Sequence, residues 1–304
     1  MKGSGESMLT MMETWLRRSE RMVHKLALDQ RIQSGARVAA WGGSGFFLSA
    51  VSLSGGFQPL ALGLITAVSG WRALVAAMGA ALGYQIFWGS AGLQGIFWAA
   101  AGCLLAVLPG KEERMEAFPL LIPALTAVMT AVTGLLFLFF RRGSPLQLFF
   151  LRVLLAPVAA WFFRRTIAHR DSVSEWVCGG IGVLALASLG PLGYGLAAVF
   201  SVWGSFPAAA MAGLGLDLAR VTQVPMSVVI CGAWFGRLIP FREKWMRCAV
   251  PALSCLGVMG LCGIWDLKPL PGLVLGGIVG YLLPPRPESV RRQGEMGIAQ
   301  VRLE

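Results

Sequence analysis

From Val38 to Pro284 the chain is one succession of apolar segments, about a dozen in all, separated by two-residue turns or short clusters of basic residues. In lipid every backbone polar group must be paired inside a helix or a closed barrel. The runs show no alternating polarity of the kind that marks transmembrane strands, and their lengths of about 14 to 24 residues suit helices, since a span needs roughly 20. Composition agrees: 56% of residues are hydrophobic and 13% charged, where a soluble domain usually carries about a quarter charged residues. The expected fold class is all-α, a polytopic transmembrane helical bundle of about 10 to 12 spans.

Three regions follow. Residues 1–37 form a basic tail, 38–284 the multi-span membrane domain, and 285–304 a short second tail that reads as the start of a missing linker. In the first tail, Met8, Met11, Met12, Trp15, Leu16, Met22, Val23 and Leu26 recur at helical spacing opposite Arg17, Arg18, Arg21 and Lys25. Such a helix either lies on an anionic membrane surface or is solvated and merely precedes the first span. Spans are expected near 38–54, 57–71, 73–88, 91–109, 117–140, 146–163, 176–190, 192–203, 206–219, 225–240, 248–264 and 270–284. Between Pro191 and Leu218 the chain is rich in Gly and Ala, which fits either two thin spans or a hairpin dipping in from one side. A secretory signal is not expected, because residues 1–37 are charged throughout.

The basic residues set the orientation. With the N-terminus inside, 20 of the 26 Lys and Arg fall in cytoplasmic segments; Arg141, Arg142, Arg220 and Lys268 stay outside, as the positive-inside rule requires. Arg152 and Arg237 lie within spans near an end and are expected to snorkel. Both termini are then cytoplasmic and the number of spans is even. The net charge of +11 serves topology; it forms no stripe interleaved with aromatics, so no nucleic-acid partner is expected.

The intramembrane motifs are mostly packing signals. Gly272, Gly276 and Gly280, and Gly79 with Gly83, are small-xxx-small steps that bring helices close, within one bundle or in a homo-oligomer. Cys248, Cys255 and Cys262 recur every seventh residue, a helix stripe without the paired ligand spacing of a metal site. His24 and His169 are the two histidines and build no catalytic dyad. The run Gly42, Gly43, Ser44, Gly45 lacks the Lys of a phosphate loop and is expected to soften the first span. Arg152, Asp217 and Arg220 are the ionisable residues to weigh as transport pointers, beside the proline-broken spans at Pro59, Pro123, Pro157, Pro207 and Pro251. No catalytic, cofactor-binding or metal residue is assigned, and no cofactor is expected.

The segments Gly55 to Val68 (GGFQPLALGLITAV), Gly213 to Met226 (GLGLDLARVTQVPM), Leu261 to Pro287 (LCGIWDLKPLPGLVLGGIVGYLLPPRP) and Gly294 to Glu304 (GEMGIAQVRLE) resemble the N-terminal membrane region of stage II sporulation protein E of spore-forming clostridia. The resemblance covers nearly the whole chain. It implies a multi-pass membrane anchor at the asymmetric septum, carrying a cytoplasmic linker and a metal-dependent serine/threonine phosphatase that activates the first forespore sigma factor, with the cell-division machinery as partner of the cytoplasmic part. The chain departs from that family at its end: after Pro287 too few residues remain for a phosphatase, and the acidic metal ligands have no counterpart. The expectation is a truncated, non-enzymatic chain. A small multi-span transporter or permease subunit is the competing expectation.

Overall fold

The computed structural model describes residues 30–53, 55–106, 118–140, 146–169, 171–239 and 244–283. The tail ahead of Gln30, the tail 285–304 and the basic segments within 107–117, 141–145 and 240–243 lie outside the described residues.

Among the described residues there are twelve α-helices: α1 Gln30–Leu48, α2 Leu60–Ala67, α3 Trp71–Trp88, α4 Leu93–Ala106, α5 Leu121–Phe140, α6 Leu146–His169, α7 Ser172–Ala187, α8 Pro191–Trp203, α9 Phe206–Ala219, α10 Met226–Gly236, α11 Val250–Cys262 and α12 Pro269–Leu282. Each of the twelve apolar runs contains one, as expected when the length of a run lets a helix satisfy its own backbone. A two-stranded antiparallel hairpin, β1 Ser52–Leu53 and β2 Gly56–Phe57, pairs Ser52 with Phe57 and Leu53 with Gly56. Its turn holds Gly55 at φ 77°, in the left-handed region that glycine enters without a Cβ clash.

Successive helices alternate in direction. Gly42 lies against Gly79, and Phe46 and Ser49 against Gly83, so α1 and α3 run in parallel. Phe57 packs on Trp98 and Ile65 against Gly102, so α2 descends alongside α4. Thr66 meets Thr126 low on α5 while Trp98 meets Thr133 higher up, which makes α5 antiparallel to α2. In the other half Gly180 and Leu184 meet Met211 and Gly215, so α7 and α9 are parallel, and α8 runs with α12 through Pro191 on Gly272 and Gly195 on Gly276.

These contacts reveal a repeat. The packing of α1 to α6 recurs in α7 to α12: α1 on α3 and α7 on α9, α2 on α6 and α8 on α12, α3 on α4 and α9 on α10. Six alternating helices return the chain to the side it started from, so the two halves run in the same sense. The sequence carries the repeat as Gly-Gly-x-Gly at 42–45 and 179–182, and as Pro-Leu-x-x-Gly-Leu at 59–64 and 191–196. Gly63 seats α2 on Ala156, Ala159 and Ala160 of α6, as Gly195 seats α8 on α12. Two buried clusters centre on the two halves, one around Ile65, Ala76 and Tyr84, which Leu184 and Ala185 of α7 also join, the other around Leu216, Ile230 and Met259. One difference between the halves is an insertion: where the second turns at Ser188–Gly190, the first carries the hairpin.

The surface between the helix ends is apolar. Met78, Leu104, Phe150 and Leu154 are all more than half exposed, whereas the interior is rich in Ala and Gly, with Leu, Val and Ile among them. Three segments are long and apolar enough to cross a membrane: Trp71–Ala106, which contains α3, α4 and the 3-10 turn between them, Leu121–Leu138 and Leu146–Ala168. The helices from α7 to α12 are also apolar but shorter, at 11 to 16 residues.

The structure places several of the sequence motifs. α1 begins at Gln30, eight residues ahead of the expected first span. Gly45 brings that helix onto Ala76 of α3, close enough that a Cβ would strike backbone, and the Gly42 carbonyl stands where a Cβ on Gly79 would be. Gly272, Gly276 and Gly280 face Pro191, Gly195 and Val199 of α8, and are covered within the chain. The segment from Pro191 to Leu218 is two antiparallel helices parted at Gly204 and Ser205.

Candidate functional site

A break in helical structure deep inside a bundle leaves carbonyls and N–H groups that need partners. The hairpin is such a break, with Val51 and Gln58 fully buried. Beyond the pairing of its two strands, its main chain adds Gln58 N–H to Val51 O at 3.0 Å. Side chains supply further partners. Gln58 Nε2 donates to Leu53 O at 3.0 Å and Gly56 O at 3.1 Å. Tyr84 on α3 donates its hydroxyl to Gln58 O at 3.1 Å, and Trp88 its indole N–H to Ser49 O at 2.9 Å. From α6, Arg152 Nε donates to Phe57 O at 3.1 Å.

Arg152 is the centre of this cluster. It is 7% exposed, and the expectation that it snorkels is wrong: the guanidinium turns inward because the hairpin carbonyl and an amide on α4 are closer than water. Its Nη1 donates to Gln94 Oε1 at 3.0 Å. The cation lies 4.5 Å from the centre of the Phe57 ring and 5.6 Å from that of Trp98, and aromatic faces carry partial negative charge. Phe57 is itself clasped by Tyr84, Trp88 and Trp98 at ring distances of 5.4 to 5.7 Å. Among the described residues no carboxylate forms an ion pair with Arg152; the ion pair present is Arg165 with Asp171 at 3.4 Å. A small cavity adjoins it, lined by Gln94, Thr130, Gly134, Phe137, Leu138, Phe149 and Arg152, leaving about 10 Å³ to the centre of a water-sized sphere. That is room for about one water.

The other ionisable residues singled out in the sequence are structural. Asp217 is not aimed at Arg220; its carboxylate accepts the N–H groups of Met226 at 2.7 Å and Ser227 at 3.0 Å, capping the start of α10. Arg220 ends α9 in the left-handed region at φ 52°. Arg237 also turns inward, donating Nη1 to Val202 O at 2.8 Å and Gly204 O at 3.1 Å, where it caps the carbonyl end of α8. Cys255 is buried in the second core, Cys248 is half-buried and Cys262 is exposed, all as free thiols. Among the described residues no three His, Cys, Asp or Glu side chains come together as a metal site would need. His24 lies outside the described residues.

At the end of the bundle where α9 gives way to α10 and α11 to α12, a polar crevice of about 660 Å³ is lined by Arg220, Thr222, Gln223, Trp265, Asp266 and Lys268 among others. Thr222 Oγ1 donates to Asp266 Oδ2 at 2.8 Å and ties the two loops together.

Sequence reasoning missed Gln58, Tyr84 and Gln94. The signal was available: Gly55-Gly56 and Pro59 bracket an amide inside an apolar run, and Gln94 interrupts another, but amides were not weighed beside charges.

The fold and this centre define an all-α protein with three segments long and apolar enough to cross a membrane and a buried arginine at the joint between α2, α4 and α6. No family model, curated protein or solved structure matches the chain.

Proposed function

We propose that the chain is a multi-pass membrane anchor of ten to twelve crossings, with both ends on the cytoplasmic face, that positions a cytoplasmic activity rather than moving a solute. The observation that carries this reading is the contrast between surface and interior. Apolar side chains face outward along α3 to α6, while inside, glycine and alanine bring helix backbones into contact and the cavity beside Arg152 admits about one water. Such an interior holds a fixed shape, which suits an anchor. Alternation of helix direction supports an even number of crossings. Helices of 11 to 14 residues such as α8 to α12 extend about 17 to 21 Å, shorter than a hydrocarbon core of about 30 Å, so these crossings need a locally thinned bilayer or interfacial flanks.

On the resemblance to stage II sporulation protein E, the anchored activity is a serine/threonine phosphatase and the site of action the asymmetric septum. A fluorescent fusion of the chain in a sporulating host tests this. Enrichment at the asymmetric septum is expected; uniform labelling of the whole envelope would refute the sporulation role while leaving the anchor reading intact.

One observation favours a transporter: two six-helix halves running in the same sense, a plan that some secondary transporters share. Substrate-dependent uptake by proteoliposomes of the purified chain would establish that reading in place of the anchor.

A further inference from the structure

We propose that the cavity beside Arg152 is a binding site for a single small monovalent anion of chloride size, which neutralises the buried guanidinium and locks the hairpin to α4, α5 and α6.

Charge and hydrogen-bond inventory lead there together. A guanidinium carries five N–H donors and stays protonated. Two are used, Nε on Phe57 O and one on Nη1 with Gln94 Oε1, which leaves the second Nη1 hydrogen and both on Nη2. Because Gln94 spends its carbonyl oxygen on Arg152, its amide nitrogen retains two donors. That nitrogen lies 4.0 Å from where a Cβ on Gly134 would be, and Gly134, Gln94 and Arg152 all line the cavity. The hydroxyl of Thr130 is already committed to Thr126 O at 2.7 Å, so it adds no donor. Phe137 and Phe149 complete the wall, and ring edges carry partial positive charge.

Donors thus outnumber acceptors around a space for one small particle. The aromatic faces of Phe57 and Trp98 lower the cost of the buried cation but bring no net charge. An uncompensated charge inside a membrane protein is expensive, and an anion supplies both the missing charge and the missing acceptor. Size sets the selectivity: a space for one small particle excludes gluconate and a lipid phosphate with its glycerol. Arg152 lies six residues into α6, about 9 Å along its axis, within reach of a hydrated ion from that end of the bundle.

The repeat sharpens the assignment. The second half turns at Ser188–Gly190 without a hairpin, so the site belongs to the first half alone, where the insertion created the carbonyls that drew Arg152 inward.

The test uses the full chain in detergent or nanodiscs, titrating chloride against gluconate at constant ionic strength. The melting temperature is expected to rise saturably by about 3–8 °C, with bromide substituting for chloride. In Gln94→Leu the midpoint is expected to move at least about tenfold to higher chloride, a loss of roughly 1.4 kcal/mol, and in Arg152→Gln the dependence should vanish. Diffraction from bromide-grown crystals of the wild-type chain should place an anomalous peak between Arg152 and Gln94, a readout that needs no variant to fold. A melting temperature indifferent to chloride, or a water with no anomalous signal in the cavity, overturns the proposal.

Discussion

The carboxylate of Asp217 on α9 accepts the Met226 N–H at 2.7 Å, so one helix supplies the N-terminal cap of the next. Pro225 precedes α10 and has no side-chain oxygen for that role, and the second bond to Ser227 makes the cap bidentate. Asp217→Ala is expected to destabilise the chain by about 1–2 kcal/mol, and Asp217→Asn by less, because an amide oxygen still accepts one N–H. Denaturation in detergent measures both. A neutral Asp217→Ala would show that the cap contributes nothing.

The hairpin depends on donors from its neighbours, and Tyr84 offers the cleanest single deletion. Tyr84→Phe keeps the ring against Phe57 and Trp98 but leaves Gln58 O without its 3.1 Å partner. An orphaned buried carbonyl costs about 1–3 kcal/mol. The expected signs are a lower unfolding midpoint and faster amide exchange at Gln58 and Phe57, with α8 to α12 unchanged.

Glycine positions divide by what a Cβ would meet. Gly276 sits against the carbonyl of Gly195, so Gly276→Ala pushes α12 off α8 and is expected to cost about 1–3 kcal/mol. Gly257 and Gly260 on α11 have open space at the same position. Replacing either by Ala is expected to be neutral or to stabilise by up to about 1 kcal/mol, through helix propensity. Equal effects at Gly276 and Gly257 would mean that the α8–α12 contact is looser than it stands here.

How much of this was legible in the sequence depended on the kind of signal. Helix positions were readable because an apolar run of sufficient length has one way to satisfy its backbone. Ends were less so: α1 extends back over Arg37 into the basic tail, since charge alone does not stop a helix. The site was hidden because Arg152 was judged by its nearness to a span end, while its fate is decided by Phe57 and Gln94, distant in sequence by 95 and 58 residues. The repeat was hidden for another reason. Gly42 and Pro59 are 17 residues apart but Gly179 and Pro191 are 12 apart, and the hairpin insertion that makes the difference breaks the period.

The way α7 joins the two halves leads to the last expectation. One apolar cluster centres on α1 to α6 and another on α7 to α12, α7 also buries Leu184 and Ala185 in the first, and the polar contacts at the junction between α6 and α7 are Thr166 with Cys178 at 3.2 Å and the Arg165–Asp171 pair, whose arginine is well exposed. An exposed pair contributes at most about 1 kcal/mol, so cutting the chain between Arg170 and Asp171 removes little. Residues 1–170 and 171–304 expressed from separate reading frames are expected to insert independently and co-purify through the packing of α7 on α6 and α1. Because each half contains six alternating helices, reporters at the start of both fragments should score on the same side of the membrane. Opposite scores would mean that one helix in the first half fails to cross, and α2, eight residues long and wholly buried, is the one to test by inserting a reporter after Gly70.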